Sequence, residues 1–482
     1  MEAFKKISII KHNIHKHKII LILILTLILF VLGYVYFQKY YWSQDRIRIL
    51  YLESERSISS LSPYGKGFEW DLADYFSSIY GLKPVWVKID DFNKGIEQLQ
   101  SGRANLLISE PLLPDLSWDN VVRGPGYLSG NFIITHNRWR YPLKNIQDLC
   151  NFDTVAPGRF LFSQKIALLQ DNLNCEIEVS NSLNPGKDFF NMISQRDFRF
   201  GLIDELNFDL WHSFFLDVFP SYSLSTSTEH AWLWSAKYKD MDRKFTEFWE
   251  EIFDDPYLYY LKEKYFGFFP AEKDTYQLNH FITAIETKLP QYADYILTAS
   301  QEYNIDPLLL TVLIYQESHF DPVAQSSTGV QGLMQITLET ADFLGVTNRL
   351  DPEQSIMGGA KYLNFLMERV VPTGAESWDK WFLTLAAYNQ GLGHLYDAME
   401  LAERKGVNRL HWLELKQIYP LLSFQRYYET LPRGYARGFE AVHFVENIRY
   451  YYYILYGMIS LARPEAEHLG RFLRFVPSNW PD

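Results

Sequence analysis

The chain has 482 residues, longer than one ordinary domain, and 47% of them are apolar, enough for full-sized cores. Charged residues at 22% exclude a disordered chain, and a net charge of -12 speaks against nucleic-acid binding. Aromatic content is high at 17%, with 33 Tyr, 34 Phe and 13 Trp, so most rings belong to cores and the excess suits sugar-stacking surfaces.

Residues 1–18 carry five Lys and three His against one Glu, and residues 19–37 then run apolar without a charge. That length just spans a bilayer, whereas a cleaved signal peptide has a shorter apolar core and small residues at its cleavage site. Here the run leads into Gly33-Tyr34-Val35-Tyr36-Phe37, which favours an uncleaved anchor, with a signal segment as the alternative. The basic flank stays inside, so the rest of the chain is expected outside the cytoplasm.

Arg46 to Leu50 begins a strand pattern, and a helix follows at Trp70 to Tyr80, stopped by Gly81. Strand and helix signals then alternate through Pro84 to Val87, Leu106 to Ile108, Ile133-Ile134, Thr154-Val155 and Phe200 to Ile203, which predicts an α/β domain. Cys150 precedes one strand signal, and Cys175 opens another, Glu176 to Val179, with a helical stretch between. A right-handed crossover would bring both to one sheet edge. A disulfide is expected in an exported protein, and two buried thiols are the alternative.

Gly67-Phe68-Glu69-Trp70-Asp71-Leu72-Ala73, Gly102 to Ile108, and Gly201-Leu202-Ile203-Asp204 resemble the extracytoplasmic solute-binding proteins of the amino-acid-binding type, over about 46–270. The resemblance implies two α/β lobes closing on a ligand, with Asp204 as a contact for a ligand amino group. The Arg that commonly grips a ligand carboxylate in that family is missing from Asp115-Leu116-Ser117-Trp118-Asp119. The expected ligand is therefore a cell-wall peptide or muropeptide acting as a regulator, and a spacer role is the alternative.

From Asn279 onward helix signals dominate, at Phe281 to Leu289, Tyr292 to Tyr303, Pro307 to Glu317, Glu339 to Leu344, Ser355 to Arg369, Trp378 to Tyr388, Leu395 to Ala402 and Ala441 to Ala462. Asp306 suits an N-cap and Pro307 the first helical position. On that helix Leu310, Leu313 and Ile314 share a face with Glu317. A carboxyl placed there has its pKa raised by burial, which keeps it protonated at neutral pH, as a general acid needs.

Glu317-Ser318, Gly329 to Ile336, Ala386-Ala387-Tyr388-Asn389 with Gly391 and Gly393, and Glu440 to Ile448 occur in the order and spacing of the lysozyme-like lytic transglycosylases. The resemblance implies peptidoglycan as substrate. Glu317 would protonate the oxygen between N-acetylmuramic acid and N-acetylglucosamine, then accept the proton of the 6-hydroxyl to close a 1,6-anhydro ring. It implies no metal and no cofactor. Ser318, Met334, Gln335, Tyr388, Asn389 and Phe444 are the expected substrate-side residues, with Gly329 and Gly332 letting the backbone approach the glycan. The family usually has Tyr where Phe444 stands, so one hydroxyl is lost; Tyr450 and Tyr451 are the candidate substitutes. Asp321, Glu339 and Asp342 are the carboxylates that a goose-type lysozyme-like hydrolase would draw on, and a glycan-binding sensor or scaffold is the further alternative.

The expected organisation is a basic flank at 1–18, an anchor or signal segment at 19–37, the solute-binding-like domain at 46–270, the lytic transglycosylase domain at 271–462 and a tail at 463–482. The resemblance points to the outer membrane of a Gram-negative cell, on its periplasmic side, and an uncleaved anchor points to the inner one.

Overall fold

The computed structural model describes residues 26–33, 45–108, 112–113, 116–270, 274–375 and 377–462. The basic flank, most of the apolar segment 19–37 and the tail lie outside the described residues. Residues 26–33 are helical and exposed, and among the described residues no helix is long and apolar enough to cross a membrane.

The first half is built on two five-stranded sheets. β1 (Arg46–Leu52), β2 (Lys83–Ile89) and β3 (Leu106–Ile108) pair in parallel, and β10 (Leu233–Ser235) joins β4 (Val121–Arg123) to their edge in antiparallel fashion. The second sheet runs β7 (Val179–Ser182), β6 (Thr154–Pro157), β8 (Phe200–Asp204), β5 (Leu128–Asn137), β9 (Val218–His230). The chain therefore crosses between lobes twice, after β4 and before β10. Helices α1 (Phe68–Ile79), α2 (Phe92–Ser101), α3 (Phe160–Leu173), α4 (Lys187–Ser194), α5 (Glu205–His212), α6 (Lys239–Ile252) and α7 (Pro256–Phe266) accompany them.

β6 and β7 are parallel neighbours, and Cys150 and Cys175 are joined by a disulfide with Cα atoms 5.9 Å apart. The strand after Cys175 starts only at Val179, later than the Glu176 start expected from the sequence.

The lobes are closed on each other by the chain's own side chains. Arg159 donates to the Glu53 carbonyl at 2.7 Å, and Phe92 stacks on Phe160 at 4.9 Å. Between the lobes, Arg56 lies 3.7 Å from Asp204, both almost wholly buried. A cavity of about 600 Å³ opens beside them, lined among others by Glu53, Lys88, Arg159, Lys187 and Asn207.

The second half is helical: α8 (Thr275–Thr287), α9 (Ala293–Tyr303), α10 (Pro307–Ser318), α11 (Leu338–Leu344), α12 (Pro352–Val370), α13 (Ser377–Gln390), α14 (Leu392–Arg404), α15 (Trp412–Ile418), α16 (Gln425–Tyr428) and α17 (Gly438–Ser460). Long α17 forms the backbone of this half and also its seam with the lobes. Tyr64, from the loop after β1, inserts its ring among Trp378, Phe268 and Phe382 and donates to the Arg449 carbonyl at 2.6 Å. The buried Arg449 guanidinium bonds Glu446 and, across the seam, Glu263 of α7. Tyr450 and Ser213 share a 2.7 Å hydrogen bond, and Tyr453 donates to the Leu210 carbonyl at 2.8 Å. One buried apolar cluster runs from lobe residues such as Phe189 and Phe214 into the helical half.

Candidate active site

Helix α10 is started as its sequence dictates. The Asp306 carboxylate accepts from Leu308 N at 2.7 Å and Leu309 N at 3.4 Å, and Pro307 takes the first turn where no donor is missed. The expected single apolar face is corrected by the structure: residues 307–315 are buried on every side. The acid is therefore carried at the end of a core helix, where the chain breaks out toward solvent. His319 and Phe320 both adopt left-handed backbone, φ 50° and 57°, and turn the chain sharply after Ser318. Left-handed conformations outside glycine cost of order 1 kcal/mol or more each and are held only where the surroundings enforce them.

Glu317 keeps part of its surface open. Burial of its carboxyl nevertheless pushes the pKa up from 4.5 to about 8, and no charged neighbour contributes to the rise. The group is thus a protonated acid at neutral pH that a substrate can still reach. Asp321 accepts from Val323 N at 3.0 Å as part of the following turn, and Glu339 and Asp342 lie exposed on α11.

The loop from 324 to 336 follows the acid in the chain and is tied through its Met334 carbonyl to Tyr388, which lies close enough to Glu317 to feel its charge. Gly332 must be glycine: its φ is +80°, and a Cβ would fall 1.8 Å from the Arg349 carbonyl oxygen. That tight approach is to the protein's own backbone, whereas Gly329, φ +84°, has open space around it. Gln335 also sits in left-handed backbone, φ 46°. Its amide nitrogen donates to Ala324 O at 3.1 Å and Gly332 O at 2.8 Å. Two carbonyl partners fix which end of the amide is nitrogen and make Oε1 its acceptor end.

Met334 is fully buried against Gly359 of α12, so its side chain belongs to the core and offers no face to a sugar in this geometry. The Ser318 hydroxyl donates to Ile314 O at 3.1 Å and so serves the helix end.

Tyr388 and Asn389 come from the last turns of α13. Tyr388 donates to the Met334 carbonyl at 2.9 Å, linking this helix to the Gln335 loop. Burial holds its phenol well above the usual value, with Glu317 and Tyr362 nearby adding to the effect. Asn389 accepts from Gln390 through Oδ1 at 2.8 Å. Phe444 is nearly buried on α17. Of the candidate substitutes for its missing hydroxyl, Tyr450 bonds Ser213 at the seam, and Tyr451 packs its ring on Phe281 and Tyr315.

Asp204 is engaged within the lobes. It caps α5, accepting from Asn207 N at 3.1 Å, and faces the Arg56 guanidinium. An arginine thus stands where the resemblance places a ligand amino group. Sequence reasoning missed this pair, and it missed Arg349, for neither carries a local signal. Among the described residues no group of three or more His, Cys, Asp and Glu side chains is placed to hold a metal ion.

A carboxyl at the end of a core helix, partly open yet raised by burial, with Tyr388 close enough to feel its charge, is the arrangement of a lysozyme-like glycan-cleaving domain. Residues 294–410 match the family model described as "Transglycosylase SLT domain". A protein of Hahella chejuensis named membrane-bound lytic murein transglycosylase F is 31% identical over 416 residues, covering 83% of this chain and 79% of that protein. Proteins of the same name from Yersinia pestis (strain Pestoides F) and Serratia proteamaculans are each 32% identical, covering 88% of this chain and 87% of theirs. The chain belongs to the membrane-bound lytic murein transglycosylase F family. Among solved structures, an ancestral arginine-binding protein bound to arginine is similar at 17% identity with a TM-score of 0.40, over 46% of this chain and 99% of that one.

Proposed function

We propose that the protein cleaves the β-1,4 bond between N-acetylmuramic acid and N-acetylglucosamine in peptidoglycan and leaves a 1,6-anhydromuramic end. The observation that carries this reading is Glu317, a carboxyl raised to about 8 by burial alone. An ordinary glycosidase pairs an acid with a second carboxylate. Here one group serves twice. The Glu317 proton goes to the glycosidic oxygen as that bond breaks, and the leaving sugar departs with a free hydroxyl. The substrate's acetamido group supports the anomeric carbon. The resulting Glu317 carboxylate then takes the proton of the muramyl 6-hydroxyl, whose oxygen bonds to the anomeric carbon. The acid is restored and no water is consumed. Gln335 Oε1 would accept from a sugar hydroxyl or acetamido N–H, and Tyr388 and Asn389 would line the cleft.

The protein works at a membrane of the cell envelope, as its relatives' names have it. The 46–270 part would act as a sensor. Its inter-lobe cavity is suited to a cell-wall peptide, and the Tyr64–Arg449 and Glu263–Arg449 bonds give it a grip on α17. Digestion of purified murein followed by mass spectrometry of the products tests the chemistry. Anhydro ends are expected; reducing ends would establish a hydrolase, and intact murein a binding protein.

A further inference from the structure

The segment between α11 and α12 is tied to the first turn of α12. Gln354 Oε1 accepts from Thr347 N, Thr347 Oγ1 and Asn348 N at 3.1, 2.9 and 3.1 Å. Asp351 caps the helix by accepting from Gln354 N at 2.9 Å, and Asn348 Oδ1 accepts from Leu350 N at 3.1 Å. Arg349 projects from this anchored turn. Its Nη1 donates to the Gly329 carbonyl at 2.8 Å and to the Ile336 carbonyl at 2.9 Å. Those two carbonyls bracket the stretch that contains Gln335. On the other side, the Arg349 carbonyl occupies the space that a side chain on Gly332 would need.

We infer that Arg349 is a positioning residue for substrate binding: its Nη1 ties together the two ends of the 329–336 turn and thereby sets the direction of Gln335 Oε1. The inference rests on the transglycosylase reading and adds to it a residue outside the motifs. Gln335 is held in left-handed backbone by bonds to Ala324 and Gly332 carbonyls, so its aim depends on where that turn lies. A guanidinium suits the task because it is permanently charged and the two hydrogens on one Nη1 can reach two carbonyls at once. Among the described residues Arg349 bonds these carbonyls and no carboxylate, so its charge is directed to the loop.

The test uses the full chain and solubilised murein glycan strands, with wild type, Arg349→Met and Arg349→Lys. Arg349→Met should lower kcat/KM by about tenfold to a hundredfold, chiefly through KM, in line with misplacement of a binding group. Arg349→Lys should recover part of the loss. The alkaline limb set by Glu317 should stay in place, since the acid is untouched. Strand binding in a Glu317→Gln background should weaken about tenfold when Arg349→Met is added. Unchanged KM and unchanged strand affinity in Arg349→Met would overturn the inference while leaving the activity of the wild type intact. A wild type that releases no anhydro product would instead overturn the transglycosylase reading, and the inference with it.

Discussion

Tyr452 donates its hydroxyl to Asp306, the residue that caps the helix whose last turn holds Glu317. Both groups are buried, and Tyr452 lies on α17, three residues after Arg449, which bonds Tyr64 and Glu263 of the first half. The far end of the acid's helix is thus fastened to the same helix that meets the lobes. A shift of α17 would be transmitted to α10 through this phenol–carboxylate bond and through the packing of Tyr451 on Tyr315.

Breaking that contact should therefore loosen the acid as well as the fold. Tyr452→Phe leaves the buried Asp306 without one partner, at a cost of about 1–3 kcal/mol. We expect a lower melting temperature of the helical half and a several-fold lower kcat. Thermal melts and initial rates on murein measure both.

The titration of Glu317 sets two pH dependences. Its folded pKa, about 8, lies above the ordinary 4.5. The free enzyme should lose kcat/KM as pH rises through about 8, because the acid is then ionised. For stability, a raised pKa means the contribution is full below pH 4.5 and lost as pH rises through 8. Glu317→Gln should accordingly match wild-type stability near pH 4 and exceed it at pH 8, by roughly 4 kcal/mol. Urea denaturation at the two pH values checks the sign.

Phe444 offers a gain-of-function test. Phe444→Tyr restores the hydroxyl that the family resemblance leads one to expect and should raise kcat by several-fold. Tyr450→Phe, which removes only the seam bond to Ser213, should leave the rate on murein within about twofold of wild type. Steady-state rates of both variants separate the two positions.

The disulfide closes a loop of 25 residues in the second lobe. Its removal by Cys150→Ala with Cys175→Ala should cost about 3 kcal/mol. The loss should appear in the unfolding of the lobes, read by calorimetry, with little change in basal murein cleavage.

Much of the site was legible because its signals are local. Asp306-Pro307 announces a helix start and Glu317 stands at the end of an apolar run, whereas Gly332, expected to let the backbone approach the glycan, makes its close approach to the Arg349 carbonyl. The contacts that tune the site join distant segments and leave no such mark. Tyr452 and Asp306 are 146 residues apart. Arg349 lies in an ordinary polar turn, and nothing near Arg56 announces that it faces Asp204. The all-round burial of α10 was likewise hidden, since periodicity shows a helix's apolar face and is silent about neighbours that cover the other side.

The regulatory reading of the first half has its own check. Tyr64→Ala removes the ring seated among Trp378, Phe268 and Phe382 and should abolish any change in murein turnover caused by added cell-wall peptide. Equal peptide response in wild type and variant would count against coupling through α17.

In the proposed reaction Glu317 alone performs both proton transfers. Mass spectrometry of murein digested by wild type and by Glu317→Gln addresses it directly. We expect 1,6-anhydromuramic ends from the wild type and none from the variant; anhydro product from Glu317→Gln, or reducing ends from the wild type, would overturn this role of Glu317.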